Sequence, residues 1–249
     1  MLRVHADSTA PDGPSGPRIG LWDLEALAGA AGLGDWMFEQ FEPLVDGAVA
    51  EVGAGIGTFS ERLLANGAES LLLIEPDPVC AKTLDRKFGG DARTRIVREA
   101  LPDSPSLSAI SGKLDLIICQ NVLEHVADDE GATRQMAAAL RPGGWLGLLV
   151  PAHPALFGPL DRRYGHVRRY DRERVRQITS AAGLELIDLY SFNLLGVVGW
   201  WAKNRQPSAR IGRGSLRVYE ILLRGWRPLE RRVRLPWGLS LVARAKRPR

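Results

Sequence analysis

The sequence predicts an α/β fold, a doubly wound sheet of parallel strands with helices on both faces. Five short apolar runs have the length and composition of buried strands, and they lie at 48–52, 71–74, 95–97, 114–119 and 145–150. The segments between them have helical length, and alternation of strands with helices favours parallel pairing. Polar or acidic residues follow most of these runs, at the edge of the sheet where such folds bind ligands.

Composition excludes several classes of protein. With 249 residues, of which 45% are hydrophobic and 25% charged, the chain fits one globular domain with a substantial core. The only cysteines, Cys80 and Cys119, both have apolar neighbours, which argues against a disulfide framework and suits a reducing compartment. The N-terminus has no apolar core of signal-peptide length, and the run Leu194–Ala202 is too short to span a bilayer. We therefore expect a soluble cytoplasmic protein.

Charge is distributed unevenly along the chain. From Lys203 to the end there are 14 Lys or Arg residues against two glutamates, Glu220 and Glu230, whereas residues 1–202 are acidic on balance. A basic segment can contact nucleic acid, an anionic membrane surface or an acidic substrate. A solvated helical face with a loose basic end is the simpler interpretation, and both stay open.

The first elements in chain order precede the sheet. Residues 1–20 are rich in Pro, Gly, Asp and Ser, and we expect them to form a disordered leader. Leu21–Ala31 has apolar residues at helical spacing and is predicted to be a helix that Gly32 and Gly34 stop. Trp36–Val45 is predicted to be a second helix, placed to cover the entrance to a ligand site.

A glycine-rich turn follows the first strand. The strand ends near Glu51, and glycines then occupy alternate positions before a helix that begins at Thr58. Glycine in such a turn lets the backbone approach a ligand where a Cβ would clash. A strand-end carboxylate is a poor neighbour for a pyrophosphate, but it suits a ligand with positive charge, such as the amino group and sulfonium of S-adenosylmethionine. We expect this ligand to contact Glu51, Gly53, Ala54, Gly55 and Gly57.

The next strand ends supply further candidate contacts. Glu75, followed by Pro76, lies about 20 residues after the glycine turn, where an acidic residue accepts hydrogen bonds from ribose hydroxyls. The residues after the third strand are candidates for contact with adenine, and they are Glu99, Ala100 and Leu101. The residues after the fourth strand complete the set, and they are Gln120, Asn121, Val122 and His125. For His125 the simpler role is to cap or orient the cofactor loop.

The fifth strand is expected to follow a helix and a tight turn. The helix is predicted to run from Asp128–Asp129 through Leu140. Arg141-Pro-Gly-Gly144 is predicted to stop this helix and to turn the chain into the strand at 145–150.

Taken together, these residues resemble the class I S-adenosylmethionine-dependent methyltransferases and, within them, a bacterial small-molecule subgroup of type 11/12. The resemblance covers roughly residues 36–249. The motifs that carry it are Glu51–Gly57, Glu75–Asp77, Asn121–His125 with Asp128–Asp129, Arg141–Gly144, Pro151–His153, Asp161–Tyr170 and Pro236–Ser240.

The resemblance implies a Rossmann-like sheet of seven strands in a single domain over residues 21–249. Its last strand, Leu239–Ala245, is implied to insert antiparallel beside Leu184–Tyr190. The resemblance also implies that Glu51, Gly53 and Gly55 hold the methionine moiety, Glu75 the ribose and the region 99–101 the adenine.

Three of the four histidines, His125, His153 and His166, follow the ends of the fourth and fifth strands. Methyl transfer from a sulfonium is an in-line displacement that needs positioning and, for a protonated acceptor, a base. Histidine suits that role near neutral pH. We predict His166 as the base or acceptor-orienting residue, with Tyr170 and His153 beside it. The alternative is that His166 and Arg168–Arg169 only hold their loop to the sheet.

The pair Glu124-His125, with His166 later in the chain, is similar to methyltransferases that bind a divalent metal through a Glu-x-x-Glu-His motif. The first glutamate position is Asn121 in this chain, which removes an anionic ligand that a hard cation prefers. We therefore predict no metal.

Residues 193–235 are predicted to form a helical insertion that caps the acceptor pocket between strands six and seven. Its tryptophans could face an aromatic or lipid-like acceptor, or pack on the sheet. Its arginines are candidates for contact with an anionic partner, and they lie at 205, 210, 213, 217 and 224.

We predict an enzyme that methylates oxygen, carbon or nitrogen of a small molecule, with phenolic, indole or other aromatic acceptors left open. The alternative acceptor is RNA, protein or a molecule linked to lipid or glycan, contacted through the basic C-terminal segment. Nucleic acid is disfavoured because Gln120-Asn-Val-Leu123 is not the Asn-Pro-Pro-Tyr type of tetrapeptide that enzymes methylating nucleic-acid amino groups often carry. A non-catalytic cofactor-binding module is a remote alternative, since the glycine turn and Glu75 are intact.

Overall fold

The computed structural model describes residues 24–25, 28–204, 213–233 and 235–249. Its strands are β1 (Gly47–Val52), β2 (Ala68–Ile74), β3 (Thr94–Val97), β4 (Leu114–Gln120), β5 (Leu140–Pro151), β6 (Glu185–Phe192) and β7 (Ser240–Lys246). Its helices are α1 (Ala31–Phe38), α2 (Thr58–Ala65), α3 (Pro78–Phe88), α4 (Pro105–Ala109), α5 (Asp129–Ala139), α6 (Pro159–Arg163), α7 (Arg172–Ala181), α8 (Leu194–Lys203) and α9 (Arg213–Arg232). The predicted leader at 1–20, Arg205 and Arg210 lie outside the described residues.

One seven-stranded sheet has the order β3-β2-β1-β4-β5-β7-β6. The first five strands are parallel, and β7 pairs antiparallel with both β5 and β6. The predicted fold class is confirmed, including the antiparallel last strand. The chain order reverses between β1 and β4, and open α/β sheets bind ligands at such a switch point.

The central strands are apolar at most positions because both faces of the sheet are covered. In β4, Leu116, Ile117, Ile118 and Cys119 are all fully buried. Ile117 belongs to a core cluster with residues of α5 and α7, and Ile118 belongs to a second cluster with residues of α1, α2 and α3. Such continuous apolar runs are typical of parallel strands between two helical layers.

The helix before β1 differs from the sequence prediction. Gly32 and Gly34 were expected to stop a helix, but both lie inside α1, and the predicted helix Trp36–Val45 ends at Phe38 before a 3₁₀ turn. The cause is a distant contact. The carboxylate of Glu220 in α9 accepts the backbone N–H groups of Gly32 at 3.1 Å and Leu33 at 2.8 Å. These are first-turn donors that a helix cannot satisfy by itself.

The strand β5 also differs from its prediction. It begins at Leu140, whereas the sequence predicted a turn over Arg141–Gly144 and a strand from Trp145. Gly143 N donates to Arg247 O at 2.8 Å and Arg247 N donates to Gly144 O at 2.9 Å. The chain after β7 therefore extends the pairing of this segment.

Two helices, α8 and α9, occupy the described part of the region between β6 and β7. The side chain of Asn193 accepts the N–H of Gly196, and Glu230 of α9 accepts the N–H of Leu194 at 3.1 Å. Both contacts satisfy donors at the start of α8. Among the helices in the described ranges, none has the length and apolar character needed to cross a membrane.

Candidate active site

A cavity of about 420 Å³ lies at the carboxyl ends of the parallel strands, beside the switch point. Its floor contains residues that follow β1, β4 and β5, and its walls come from α1, from the segment 160–169 and from α8 and α9. The lining residues of the walls include Leu33, Met37, Leu160, Tyr164, His166, Arg169, Gly196, Trp200, Lys203, Leu216 and Tyr219. The edge of the sheet, the segment 160–169 and the helices α8 and α9 thus enclose one space.

The glycine turn after β1 forms one end of this cavity. Gly53 has φ +74°, and a Cβ there would stand 2.3 Å from Cγ2 of Val122, so a larger residue is excluded by conformation and by packing. Gly55 has φ +55°, and an added Cβ would meet only the side chain of Leu24, at 3.8 Å. Gly53, Ala54 and Gly55 line the cavity, as the sequence predicts.

Glu51 brings a buried carboxyl group to the same end. Its Oε2 accepts a hydrogen bond from Oγ of Ser60 at 2.5 Å. Burial raises the pKa of Glu51 to about 8, the Ser60 hydrogen bond opposes this rise, and the nearby charge of Glu75 adds to it. A positive group beside Glu51 would offset the cost of ionising it.

Gln120 and Asn121 stand opposite the glycine turn and line the cavity. Oε1 of Gln120 is buried and has no hydrogen-bond partner in the part of the chain that the structure describes. Asn121 has φ +52°, and its N–H donates to Leu149 O at 2.8 Å. A buried acceptor without a partner is costly unless a ligand or water satisfies it.

Eight predicted cofactor contacts are not part of the cavity lining, and they are Gly57, Glu75, Pro76, Glu99, Ala100, Leu101, Val122 and His125. The carboxylate of Glu75 accepts the N–H groups of Gly55 at 2.8 Å and Asp77 at 2.9 Å. Glu75 therefore fixes the shape of the glycine turn. Its contact with a ribose stays a prediction.

Glu99 has helix-capping contacts. Its carboxylate accepts hydrogen bonds from Oγ of Ser104, from Oγ of Ser106 and from the N–H of Ser106, at 2.6, 2.6 and 3.0 Å. Burial opposes ionisation of Glu99, but these hydrogen bonds outweigh it and lower the pKa of the carboxyl group. The carboxylate thus holds the start of α4, and the adenine contact stays a prediction.

His166 is the one predicted acceptor-side residue that lines the cavity. Its Nδ1 lies 2.9 Å from Oδ1 of Asp161, which is fully buried. Asp161 also accepts Nε of Arg169 at 2.7 Å and the N–H of Gly158 at 3.0 Å. A carboxylate in this position selects the tautomer with the proton on Nδ1, which leaves the lone pair on Nε2.

Glu124 and His125 pack against His166. The carboxyl group of Glu124 lies 4.0 Å from Nε2 of His166, and its Oε2 has no hydrogen-bond partner among the described residues. The ring of His125 meets that of His166 edge to face at 4.9 Å, and its Nδ1 lies 3.2 Å from Gly165 O. Burial raises the pKa of Glu124 to about 8, while burial and the neighbouring His166 lower that of His125 to about 4.

The same three side chains offer ligand atoms within 4.8 Å of one another, a spacing that could hold a metal ion. The sequence-based prediction of no metal is not tested by this geometry and stays a prediction.

Two predicted acceptor-side residues lie elsewhere. Tyr170 is fully buried, and its hydroxyl lies 3.0 Å from Leu123 O and 3.1 Å from Oδ2 of Asp129. Burial and the neighbouring carboxylate of Asp129 raise the pKa of Tyr170 far above its usual value. The ring of His153 stacks on Trp237 at 4.8 Å and does not line the cavity. Neither residue lines the cavity, and a contact of either one with an acceptor stays a prediction.

Sequence reasoning missed several residues of the site. Glu124 was considered only as part of a metal-binding motif and Asp161 was given no role, because nothing local shows that both are buried against His166. Arg169 was expected only to hold the loop, yet it lines the cavity with its guanidinium 4.6 Å from the ring of Trp200. For Tyr164 and Trp200 the sequence showed only that aromatic residues occur near a predicted pocket.

Several curated relatives match about half of the chain. The ubiquinone biosynthesis O-methyltransferase of Bordetella avium is 29% identical over 114 residues, which are 45% of this chain and 46% of the relative. The chain thus spans about half the length of the curated relatives it matches. The homologous protein of Hydrogenovibrio crunogenus is 25% identical over 126 residues, 51% of this chain and 48% of the relative.

Solved structures share the fold at low identity. A geranyl diphosphate methyltransferase in complex with SAM has a TM-score of 0.62 and 13% identity, covering 92% of this chain and 91% of the other. An S-adenosylmethionine-dependent methyltransferase from Mesorhizobium loti has a TM-score of 0.60 and 17% identity, covering 88% and 100%. A family model described as a methyltransferase domain matches residues 36–189, more than half of the chain. The protein therefore belongs to this methyltransferase family.

Proposed function

We propose that the protein transfers a methyl group from S-adenosylmethionine to a hydroxyl oxygen of a small molecule with an apolar body. The observation that carries the proposal is His166. It is held by the buried Asp161 in a largely apolar cavity that also reaches the glycine turn. A positioned base is needed for a hydroxyl acceptor, because its oxygen becomes a strong nucleophile only as the proton leaves.

The residues at the glycine turn fit the proposed methyl donor. Gly55 lacks the Cβ that would occupy the cavity, Glu51 offers a carboxyl group, and Gln120 offers a buried oxygen without a partner among the described residues. An amino-acid ammonium is a donor that suits both oxygens, and its charge favours the ionised form of Glu51. When bound, S-adenosylmethionine supplies a methyl group on a sulfonium, which an in-line nucleophile displaces.

His166 removes the proton of the acceptor in this proposal. Asp161 accepts the Nδ1–H, fixes the ring and stabilises the imidazolium that forms when Nε2 takes the proton. Arg169 pairs with Asp161 at 2.7 Å and keeps this carboxylate ionised although it is buried. The base is therefore positioned by a pair of buried charges that compensate each other.

The apolar wall of the cavity selects the body of the acceptor. Met37, Tyr164, Trp200 and Tyr219 line it and provide aromatic and aliphatic surface for a ring or a hydrocarbon chain. The name of the Bordetella avium relative, an O-methyltransferase, supports oxygen as the methylated atom. An RNA or protein acceptor has no comparable support from the cavity.

We also propose that the protein works in the cytoplasm. Cys80 and Cys119 are buried and free. Unpaired thiols of this kind suit a reducing compartment.

The experiment that tests the proposed function is an acceptor screen with S-adenosylmethionine. The panel contains phenols and catechols with and without an alkyl side chain, matched amines, and RNA as a polymer control. We expect O-methylated products by mass spectrometry, with kcat/KM about ten-fold higher for each acceptor that carries the alkyl chain. Products methylated on carbon or nitrogen, or turnover with RNA alone, would contradict the proposal.

A further inference from the structure

We propose that the outer face of α9 docks the protein on an anionic phospholipid bilayer. Four large apolar side chains of this helix are exposed to solvent: Val218, Ile221, Leu222 and Leu229. Ile221 is 67% exposed and Val218 is 59% exposed, values unusual for side chains of this size on a helix that already packs on the protein. The inference goes beyond the proposed methyl transfer and does not depend on it.

The inward face of α9 differs from its outward face because its side chains already have partners within the protein. Leu216 and Leu223 are buried against the fold. The only carboxylates of α9 also point inward: Glu220 caps α1, and Glu230 accepts the N–H of Leu194 and Nε1 of Trp226. The outward side therefore carries apolar side chains and cations but no acid.

Arginines flank the exposed apolar face. Arg217, Arg224 and Arg231 recur every seven residues, which places them in one row along the helix. Arg217 and Arg224 are helical neighbours of Ile221, four residues before it and three residues after it, at the edge of the exposed apolar face. Arg217 and Arg224 are exposed, whereas Arg231 pairs with Glu39, the residue that follows α1. An apolar stripe beside a row of cations is the pattern of a helix that lies in the interface of an anionic membrane.

The arginines beside the apolar face favour an anionic bilayer over a second copy of the chain or a nucleic acid. A second copy of the chain would bring the same arginines to the contact, and neither copy offers a carboxylate on this face to pair them. Nucleic acid would satisfy the arginines but would leave four aliphatic side chains without an apolar environment. A bilayer of anionic lipid satisfies both, because phosphates meet the cations while the hydrocarbon boundary receives the apolar groups.

The exposed face belongs to a helix that also lines the cavity. Ser215, Leu216 and Tyr219 on the preceding turns of α9 line the cavity, as do Gly199 and Trp200 of α8. Docking through α9 would place the cap of the cavity next to the lipid surface.

A vesicle flotation experiment with the full chain tests the inference. Vesicles contain phosphatidylcholine alone or with about one third phosphatidylglycerol, and flotation is measured at low and at high salt. We expect flotation with the anionic vesicles only, weakened by salt. Arg217→Gln with Arg224→Gln should lower the partition coefficient about 25-fold, at about five-fold per arginine. Ile221→Asn should lower it about ten-fold.

The matched controls replace an exposed apolar residue by asparagine and an exposed arginine by glutamine on helices other than α9. Val79 is an exposed valine of α3, and Arg134 is an exposed arginine of α5. Val79→Asn and Arg134→Gln should float like the wild type, and thermal melting should show that all variants are folded. No flotation of the wild type, equal flotation with neutral vesicles, or equal losses in the controls would overturn the inference. A dimer in light scattering that Ile221→Asn dissociates, without vesicle binding, would assign the face to a second copy instead.

Discussion

Replacing His166 with alanine is expected to lower kcat for methyl transfer about 10²- to 10⁴-fold, the range that a general base contributes. The imidazole is the cavity-lining group held by a buried carboxylate through Nδ1 at 2.9 Å, so its loss removes the proposed proton acceptor. Steady-state kinetics with the best acceptor of the screen measure the effect. Affinity for S-adenosylmethionine, measured by calorimetry, should stay within a factor of a few, because the proposed cofactor contacts lie at the glycine turn.

His153→Ala is the matched control, since the ring of His153 stacks on Trp237 outside the cavity lining. We expect its kcat to fall by no more than a few-fold. Asp161→Asn should behave as a positioning variant, with lower kcat at similar KM, because an amide no longer fixes the tautomer of His166. Equal losses in His153→Ala and His166→Ala would contradict the assignment.

Stability at alkaline pH should depend strongly on Glu124. Burial raises its pKa from 4.5 to about 8, so the native protein keeps a proton that the unfolded chain releases between these values. The free energy of unfolding therefore falls as pH rises through this window and levels off above it. Glu124→Gln stays neutral throughout. At about pH 9 we expect this variant to be more stable than wild type by about 2–4 kcal/mol, or by roughly 5–10 °C in Tm.

The difference should shrink to less than about 1 kcal/mol at about pH 5, where the native carboxyl group is neutral and the unfolded chain has only begun to release its proton. Glu69→Gln is the control, because Glu69 is an exposed residue of β2. Its melting curves should follow those of wild type at both pH values. A lower Tm of Glu124→Gln than of wild type at about pH 9 would show that Glu124 is ionised and stabilising, contrary to the expected cost of its burial.

The sheet could be predicted from the sequence because its signal is local. The run at 114–119 is apolar at nearly every position, as a strand covered on both faces must be, and β4 occupies it. The first helix could not be placed because its start depends on Glu220, which lies 188 residues from Gly32. Local pattern showed two glycines, which usually end a helix, and could not show a carboxylate brought to them by the fold.

The residues of the candidate site could be predicted where the backbone conformation requires glycine. Gly53 and Gly55 have positive φ and line the cavity, and the sequence identified both. For Tyr170 the motif shows proximity to His166 but not the direction of the side chain, which turns into the core toward Leu123 and Asp129. The role of Asp161 was missed for the same reason, since its contact with His166 depends on the path of the chain after α6.

The central claim is that the cavity binds S-adenosylmethionine at the glycine turn, and calorimetric titration of wild type and Glu51→Gln tests it most directly. We predict saturable binding to wild type, weakened about ten-fold or more in Glu51→Gln by loss of a charge-assisted contact. Because the pKa of Glu51 is raised to about 8, binding a cation below that pH should also release a proton, seen as heat that changes with the buffer. The same affinity in both proteins would contradict the role of Glu51, and no binding to wild type would contradict the central claim.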